Sequence, residues 1–464
     1  MDLRDTPEEA AFRAELRAWL DENLPEGLQG HRGGATRFEG PEMREWSRAL
    51  YQAGYVGLTW PEEYGGGGAP YTHQAIFLEE MARAEAPPHI GVIGIGMAGP
   101  TIIAHGTEEQ KARYLQPLLS AEEIWCQGFS EPGAGSDLAG VRTSSTLEDG
   151  HFVVNGQKVW SSFAHIADFC ILLTRSDPES SRHAGLTYLI VDMHAPGVEV
   201  RPLRQITGEA EFNEIFFSDV RVPAENLLGD VGGGWQVAMT TLLHERGTLG
   251  FALQATLEVQ IRKLVALARD RGADPLQRDR IAREWVEMQA LRFTNYRSLS
   301  ALMKTGLPGP EGSISKLVWS EANQRVTKLA IEILGPDGAL GEENAPYGGY
   351  WSTSSSAAAA TPSRRAPRRC SATSSPSECS ASPTPADPWT SHSHPSRRRF
   401  AIRRANSSPR TPSRPGRSSR SSAGPVSRSR RRTAVRASRS SRRRSSSRSS
   451  GARSTTARTS RRSA

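Results

Sequence analysis

Residues Phe129-Ser130-Glu131-Pro132-Gly133-Ala134-Gly135-Ser136-Asp137-Leu138-Ala139-Gly140 stand where the pattern of the 464-residue chain changes from helical to β-rich. Their glycines let the backbone approach a flat or phosphorylated ligand closely, because glycine has no side chain to intervene. Ser130 and Ser136 add two hydroxyl groups. The stretch favours a ligand-binding turn at the start of a new domain, although this composition is also typical of an ordinary turn.

Upstream of this turn, residues 1–122 have the pattern of an N-terminal helical domain. Thr6-Pro7-Glu8-Glu9 supplies an N-cap, a proline at the first helical position and a glutamate at the third, which together predict a helix start. Apolar residues then recur on one helical face, at Phe12, Leu16, Trp19 and Leu20. Loops over 27–40 and 60–68 interrupt the pattern, and helical periodicity returns over 75–84 and 108–119.

Downstream of the turn, residues 123–228 predict a middle antiparallel β-domain. The β-rich runs 152–154 and 157–160 flank Asn155-Gly156. Both turn residues tolerate positive φ, so we expect a hairpin there. Further strands are predicted over 167–174, 186–193, 198–203 and 214–222, with no long helix among them.

Helical periodicity resumes after Gly232-Gly233-Gly234, in three stretches of about 235–268, 276–304 and 313–334. These stretches predict a C-terminal helical bundle over 229–351. The predicted order of a helical domain, a β-domain and a helical bundle indicates an α+β protein of three domains. The chain length is that of one large enzyme.

The remaining residues, 352–464, form a tail of unusual composition. It contains 27 arginines, no lysine and two acidic residues, Glu378 and Asp387. Such a segment has few core-forming residues to offset its ordering entropy, so we expect it to be disordered. An alternative is an RNA-binding tail, but aromatic residues are nearly absent from it and no folded RNA module accompanies it.

The body without the tail is acidic, with 31 basic against 48 acidic residues over 1–351. This balance argues against binding to nucleic acid or to an anionic membrane. No run is long and apolar enough to span a membrane, and the first residues lack a secretory signal pattern, so we expect a cytoplasmic protein. The four cysteines have no metal-ligand spacing, and neither a disulfide framework nor a metal site is predicted.

The string over 129–140 resembles the signature of the flavin-dependent acyl-CoA dehydrogenases. Further stretches look like landmarks of that family in the right order, namely 60–66, 105–111, 158–162 and 334–338. The resemblance covers residues 1–351. It implies a middle β-domain between two helical domains, bound FAD, and α,β-desaturation of an acyl-CoA thioester to a trans-2-enoyl-CoA. Electrons would then pass to an electron-transfer flavoprotein.

The resemblance also implies site residues. Flavin contacts would come from Phe129, Ser130, Trp160 and Ser162, with the Trp160 indole against the isoalloxazine and the two serine hydroxyls bonding its polar edge. Ser136 would bond a phosphate or the acyl-CoA arm. The plainer alternatives are a core aromatic for Trp160 and a helix or turn cap for Ser136.

Two departures from the family pattern concern the dinucleotide end of FAD. Many members use an Arg-x-x-Phe-Gly segment, and a Gln eleven residues beyond its Arg, to reach the FAD of a neighbouring subunit. Here residues 269–275 read Arg-Asp-Arg-Gly-Ala-Asp-Pro, without that Gln. Glu332 likewise stands where a Gln often precedes the glycine-rich adenine loop.

Removal of an α-proton requires a general base, and the family places a carboxylate either on the first helix of the bundle or in a loop before its last helix. Glu245 occupies the helix position. It interrupts an apolar stripe at 3–4 spacing formed by Ala238, Leu242, Leu249 and Ala252. The alternative is a structural ion pair with an arginine of another helix.

The family's last helix is missing, and the tail offers a reason. Residues 372–383 permit codons that, read one nucleotide earlier, give Arg-Asn-Ile-Ile-Ala-Glu-Arg-Val-Leu-Gly-Leu-Pro, the family's ending. Residues 360–371 permit Asp-Thr-Val-Ala-Ala-Gly-Ala-Glu-Glu-Val-Gln-Arg in that frame, which leaves the loop without a carboxylate and favours Glu245. We therefore predict a frameshift between about 348 and 359, and this exact chain would then be inactive.

Three functional hypotheses follow. The first is an FAD-dependent acyl-CoA dehydrogenase, acting as a homo- or hetero-oligomer. The second is a non-catalytic or half-site subunit of a heteromeric dehydrogenase, which the departures at Arg271 and Glu332 motivate. The third is a related flavin oxidase or nitroalkane oxidase. Acyl length, branching or a steroid side chain as substrate stay open.

Overall fold

The computed structural model describes residues 4–30, 40–180, 182–247, 249–305, 312–340 and 344–360. The described part of the N-terminal domain contains five α-helices, and a π-helical turn, Gly94–Ala98, leads directly into the fourth. Their bounds are α1 Pro7–Asn23, α2 Pro41–Gln52, α3 Tyr71–Arg83, α4 Gly99–His105 and α5 Glu108–Leu119.

The first helix begins as its sequence predicts. The Thr6 hydroxyl accepts a hydrogen bond from the Glu9 backbone N–H at 3.2 Å, and the Glu9 carboxylate accepts one from the Thr6 N–H at 2.8 Å. Reciprocal bonds of this kind satisfy two of the orphan donors at a helix start. The predicted apolar face is confirmed because Leu16 and Leu20 are buried in the domain core.

Seven strands form one sheet in the middle domain, in the order β1-β4-β2-β3-β7-β6, with β5 paired to β4. The pairing is antiparallel except where β1, and a single residue of β2, run parallel to β4. The strand bounds are β1 Trp125–Gly128, β2 Ser144–Glu148, β3 His151–Ser162, β4 Phe169–Arg175, β5 Leu186–Asp192, β6 Val198–Leu203 and β7 Phe212–Pro223.

Strands β4 and β5 are buried on both faces. Ile171 and Tyr188 point into the core shared with the N-terminal helices, whereas Cys170 and Leu189 belong to a second core inside the β-domain. Alternate residues of a strand face opposite sides, so each strand contributes to both cores. The sheet is thereby fixed against the helical layer.

The hairpin predicted at Asn155-Gly156 is wrong. Strand β3 runs through both residues, and the chain reverses earlier, at Asp149-Gly150, where both residues have positive φ. Asn155 and Gly156 instead form a bulge in the pairing of β3 with β7. A Cβ on Gly156 would lie 2.6 Å from Thr143 Oγ1, so close approach of a neighbouring strand explains the glycine.

The C-terminal bundle consists of α6 Gly234–Gly247, α7 Leu249–Arg271, α8 Pro275–Thr305, α9 Gly312–Leu334 and α10 Tyr350–Ala360. The stretch predicted as helical over about 235–268 contains α6 and α7. The other two predicted stretches match α8 and α9. The core of α7, α8 and α9 contains Ile261, Met288 and Val326.

The boundary of the predicted tail is also wrong by about eight residues. Helix α10 continues past 352, and Ser354 and Ala358 are 4% and 1% exposed. Its Ser- and Ala-rich sequence contributes little apolar surface, but small side chains allow close packing of this short helix on α9, and alanine is the best helix former. Residues 361–464, with Cys370 and Cys379, lie outside the described residues.

Candidate functional site

The glycine-rich stretch forms a loop between β1 and β2. Glu131 and Ala134 exchange backbone hydrogen bonds of 2.9 and 3.0 Å, so Pro132-Gly133 is a tight turn between them. An added Cβ at Gly133 or Gly135 would meet nothing within 4 Å. The loop therefore leaves open space at these glycines.

A buried ion pair ties this loop to β3. Lys158 Nζ, which is fully buried, donates to Glu131 Oε1 at 2.8 Å and to the Phe129 carbonyl at 3.0 Å. The Glu131 carboxylate also accepts the backbone N–H groups of Arg142 and Thr143, at 2.7 and 2.9 Å. Both ends of the loop are thus held by one carboxylate.

The pKa values of the pair show which effect dominates at each member. Burial lowers the pKa of Lys158 to about 8, despite the opposing attraction of Glu131. Burial alone would raise the pKa of Glu131, but Lys158 and the two backbone donors together lower it. The carboxylate is therefore ionised and fully engaged, which suits a structural role.

Trp160 lies on a bulge at the end of β3. The register with β7 shifts between Lys158 and Ser161, and the Trp160 backbone has φ +63°. Its indole is 45% exposed and meets the Phe212 ring edge-on, with centroids 6.0 Å apart. Trp160 is therefore not a core aromatic.

Backbone contacts join the loop and the strand that carry the predicted flavin residues. The Val159 N–H donates to the Ser130 carbonyl at 2.9 Å, which joins the loop to the strand next to Trp160. Ser130 and Ser162 are half-buried, and Ser162 pairs with Phe212 across the ladder. Phe129 is buried beneath them. Ser136 lies farther along the loop and is exposed, next to Asp137, which pairs with Arg182.

Glu245 lies near the end of α6, and its side chain is 19% exposed. Lys316 Nζ of α9 is 3.9 Å from Glu245 Oε1, and the lysine is 47% exposed. The ionic partner is therefore a lysine rather than the arginine considered above, and the contact is long. Ala238 is buried on the same helix, whereas the Leu249 side chain lies outside the described residues.

A chain of contacts connects α6 to the loop. The Phe129 ring meets the Tyr188 ring edge-on, with centroids 5.7 Å apart. Tyr188 Oη is 2.8 Å from Thr241 Oγ1 on α6. Thr241 and Glu245 are four residues apart and so share a helix face. Glu245 therefore lies one helical turn beyond Thr241, the residue of α6 that contacts β5.

Four residues that shape the site were not predicted, namely Glu131, Lys158, Tyr188 and Thr241. A signal existed for Lys158, since it sits among apolar residues in a strand, where a charge requires a partner. The identity of that partner depends on the fold.

Arg271 and Glu332, at the dinucleotide end, are engaged within the chain. Arg271 Nη1 donates to Asp337 Oδ2 at 3.0 Å, and Glu332 pairs with Arg280. In the described residues, no group of three or more His, Cys, Asp or Glu side chains could hold a metal ion. None of the described helices is long and apolar enough to cross a membrane.

Three family models match consecutive parts of the chain. They are the N-terminal domain of acyl-CoA dehydrogenase over residues 6–122, the middle domain over 126–220 and the C-terminal domain over 232–356. The chain belongs to the acyl-CoA dehydrogenase family. The predicted resemblance and the three-part fold are confirmed.

Among curated relatives, acyl-CoA dehydrogenase IpdE1 of Mycobacterium tuberculosis is 43% identical over 346 residues, which cover 71% of this chain and 89% of that protein. A solved structure titled Tcur3481-Tcur3483 steroid ACAD superposes with a TM-score of 0.69 at 32% identity, covering 78% of this chain and 94% of that one. The ChsE4-ChsE5 complex from Mycobacterium tuberculosis gives a TM-score of 0.67 at 29% identity, covering 77% and 93%.

Acyl-CoA dehydrogenases bind FAD, and the residues around Trp160 fit its ring system. The Trp160 indole is exposed, and Ser130 and Ser162, on the adjoining loop and on the same strand, are half-buried. An exposed aromatic side chain with hydroxyl-bearing residues nearby suits a flat heteroaromatic ring with polar edges. The residues at the dinucleotide end do not show such a fit, because Arg271 and Glu332 are paired within the chain.

Proposed function

We propose that this acyl-CoA dehydrogenase desaturates an acyl-CoA thioester to the trans-2-enoyl-CoA, with Glu245 as the general base. FAD, when bound, would supply the hydride acceptor. The hydride is the β-hydrogen of the substrate together with two electrons. Phe129, Ser130, Trp160 and Ser162 would hold its ring system. Glu245 would take the α-proton onto a carboxylate oxygen. Together, the two transfers break one C–H bond at the α-carbon and one at the β-carbon, and a C=C bond forms between these carbons.

The observation that carries this proposal is the contact path from Phe129 through Tyr188 to the α6 turn of Glu245. This path supports the proposal because it links the helix that carries Glu245 to the loop that we propose faces the flavin. Positioning of a base against its substrate is a large part of what a protein contributes to proton transfer. The long contact with Lys316 leaves the Glu245 carboxylate without a close ionic partner among the described residues.

For the substrate, we propose a steroid-derived acyl-CoA, supported by the 32% identical structure titled a steroid ACAD. An electron-transfer flavoprotein would reoxidise the enzyme, and Ser136 would contact the acyl-CoA arm from its exposed position. Stopped-flow absorbance should show faster flavin bleaching with steroid side-chain CoA esters than with octanoyl-CoA. Oxygen consumption without an added acceptor would instead indicate the oxidase alternative.

A half-site subunit of a heteromeric dehydrogenase is the second candidate. The intrachain pairs of Arg271 and Glu332 favour it, because these groups are engaged where family members reach FAD. The two solved relatives are also named as pairs of proteins. FAD content of the chain expressed alone, compared with co-expression beside a second acyl-CoA dehydrogenase, would separate the candidates.

The surface of α8 supports an oligomer in either case. Val286 and Phe293 are seven residues apart on this helix and are 68% and 53% exposed, with the exposed Ala290 between them. Large apolar side chains on one face of a helix favour packing against another chain. We propose a second acyl-CoA dehydrogenase chain as the occupant, to be tested by sedimentation of a Val286→Glu, Phe293→Lys variant.

The predicted frameshift, and its expected effect on FAD binding by the 464-residue chain, can both be tested. The C-terminal family model ends at residue 356, within α10 and within the predicted interval. Resequencing the gene across codons 345–390 tests the frame directly. We expect the 464-residue chain to hold little FAD and the form with the restored ending to hold about one per chain. Stoichiometric FAD and a cooperative melt from the 464-residue form would contradict this.

A further inference from the structure

Three buried hydroxyl groups meet where the helical domain, the β-domain and the bundle touch. They belong to Thr101 on α4, Tyr188 on β5 and Thr241 on α6, and each residue is 0% exposed. Thr241 Oγ1 lies between the other two, 2.9 Å from Thr101 Oγ1 and 2.8 Å from Tyr188 Oη.

One arrangement of the hydrogen atoms satisfies all three hydroxyl groups of this cluster. Thr101 donates to the Met97 carbonyl at 2.7 Å, in the π-helical turn. Its oxygen is then free to accept from Thr241, which also has the Val237 carbonyl at 3.2 Å as an acceptor. Tyr188 in turn donates to Thr241. Every hydroxyl hydrogen has an acceptor, which a dry site requires.

The cluster also joins two parts of the proposed site. Tyr188 backs the ring of Phe129, in the loop that faces the flavin. Thr241 precedes Glu245 by four residues on the same helix face. The Thr241 hydroxyl therefore links the helix of Glu245 to the strand behind the loop.

We infer that Thr241 is a positioning residue for Glu245, and this rests on the proposed role of Glu245 as the base. The Thr241 hydroxyl holds α6 at a fixed distance from β5 and α4. Removal of that hydroxyl leaves the Tyr188 hydroxyl without its acceptor in a buried place. Helix α6 then shifts or opens, and the carboxylate moves away from the position of the α-proton.

The first measurement follows hydrogen exchange in the full 464-residue chain and requires no bound FAD. Thr241→Val should speed exchange of the amides in α6 by about tenfold, since a lost buried hydrogen bond eases local opening. Thr241→Ser retains the hydroxyl and should exchange like the wild type. Tyr188→Phe should give a smaller effect in the same direction.

Thr174→Val is the matched control. Thr174 is also 0% exposed, and its hydroxyl bonds Ser145 Oγ at 2.7 Å and the Thr187 carbonyl at 3.1 Å. All of these partners lie within the sheet or its flanking strands. The control variant should leave exchange in α6 unchanged, at a comparable loss of overall stability.

The second measurement follows flavin reduction by an acyl-CoA. It uses the form that holds FAD, either the 464-residue chain or the chain with the restored ending. Thr241→Val should keep FAD content and acyl-CoA affinity and slow reduction by about ten- to a hundredfold, with recovery in Thr241→Ser. Unchanged α6 exchange in Thr241→Val, or equal effects from Thr174→Val, would overturn the inference. Fast reduction by Glu245→Gln would instead remove the base assignment, and the inference with it.

Discussion

Glu131 and Glu245 are two carboxylates at inward-facing positions, and the protein surrounds them differently. Glu131 accepts hydrogen bonds from Lys158 and from two backbone N–H groups, all within 3 Å. Glu245 has one ionic partner among the described residues, Lys316, at 3.9 Å. A carboxylate held by three close hydrogen bonds is suited to fixing structure, whereas one with fewer close donors is more open to accept a proton. The comparison fits a structural role for Glu131 and is consistent with the proposed chemical role of Glu245.

The largest expected effect comes from Glu245→Gln. The amide is nearly isosteric but cannot accept the α-proton, so flavin bleaching by an acyl-CoA should slow by about 10²- to 10⁴-fold with FAD retained. Stopped-flow absorbance measures it. Glu287→Gln, on α8 beside Arg325, is the control and should bleach at the wild-type rate. Equal bleaching rates in Glu245→Gln and the wild type would show that Glu245 is not the base, and the proposed contrast with Glu131 would fail.

Next in size is the effect of Lys158→Met on folding. The substitution leaves the Glu131 carboxylate buried without its ionic partner, and the free energy of unfolding in urea should fall by about 3–5 kcal/mol. Adding Glu131→Gln should restore part of the loss, because the uncompensated charge is gone. Arg283→Met, which removes an exposed pair with Asp279, should cost about 0–1 kcal/mol. A cost for Lys158→Met within that range would mean that the buried pair does not hold the loop.

A pH dependence follows from the same lysine. The pKa of Lys158 is lowered to about 8 in the folded protein, from an ordinary value of 10.5. Between these values the unfolded chain binds more protons, so the stability of the wild type relative to Lys158→Met should rise with pH, by at most about 3 kcal/mol. Urea unfolding of both proteins at pH 7, 8.5 and 10 measures it, and a falling difference would contradict the lowered pKa.

The smallest effect should come from Lys316→Met. An exposed lysine at 3.9 Å contributes about 0–1 kcal/mol, so both stability and the bleaching rate should change little. The comparison with Lys158→Met is direct, because both variants remove the lysine partner of a carboxylate. A loss as large as that of Lys158→Met would show that Glu245 is a structural ion pair.

The parts of the fold that depend on neighbouring residues were predictable from the sequence. The start of α1 follows from Thr6 and Glu9, whose hydrogen bonds lie within one helical turn. The family landmarks fixed the order of the three domains and placed Phe129, Ser130, Trp160 and Ser162 near one another. The stripe containing Ala238 and Leu242 indicated the unusual position of Glu245.

The errors concern residues whose conformation is decided by distant partners. Asn155-Gly156 is the strongest local hairpin signal in the chain, yet Thr143 and Asp219 hold it as a bulge. Lys158 finds Glu131 across 27 residues of sequence. The burial of Ser354 and Ala358 depends on α9, so composition alone ended the bundle too early.

The bulge at Trp160 has a practical consequence for spectroscopy. Among the tryptophans in the described ranges, Trp160 is the one most open to solvent, while Trp46, Trp125 and Trp351 are each 1–2% exposed. A collisional quencher such as acrylamide would reach its excited state far more readily than theirs. The chain therefore has an intrinsic fluorescent reporter at the proposed flavin position. A planar ligand bound against the Trp160 indole would reduce quenching of its fluorescence by acrylamide, so no added label is needed.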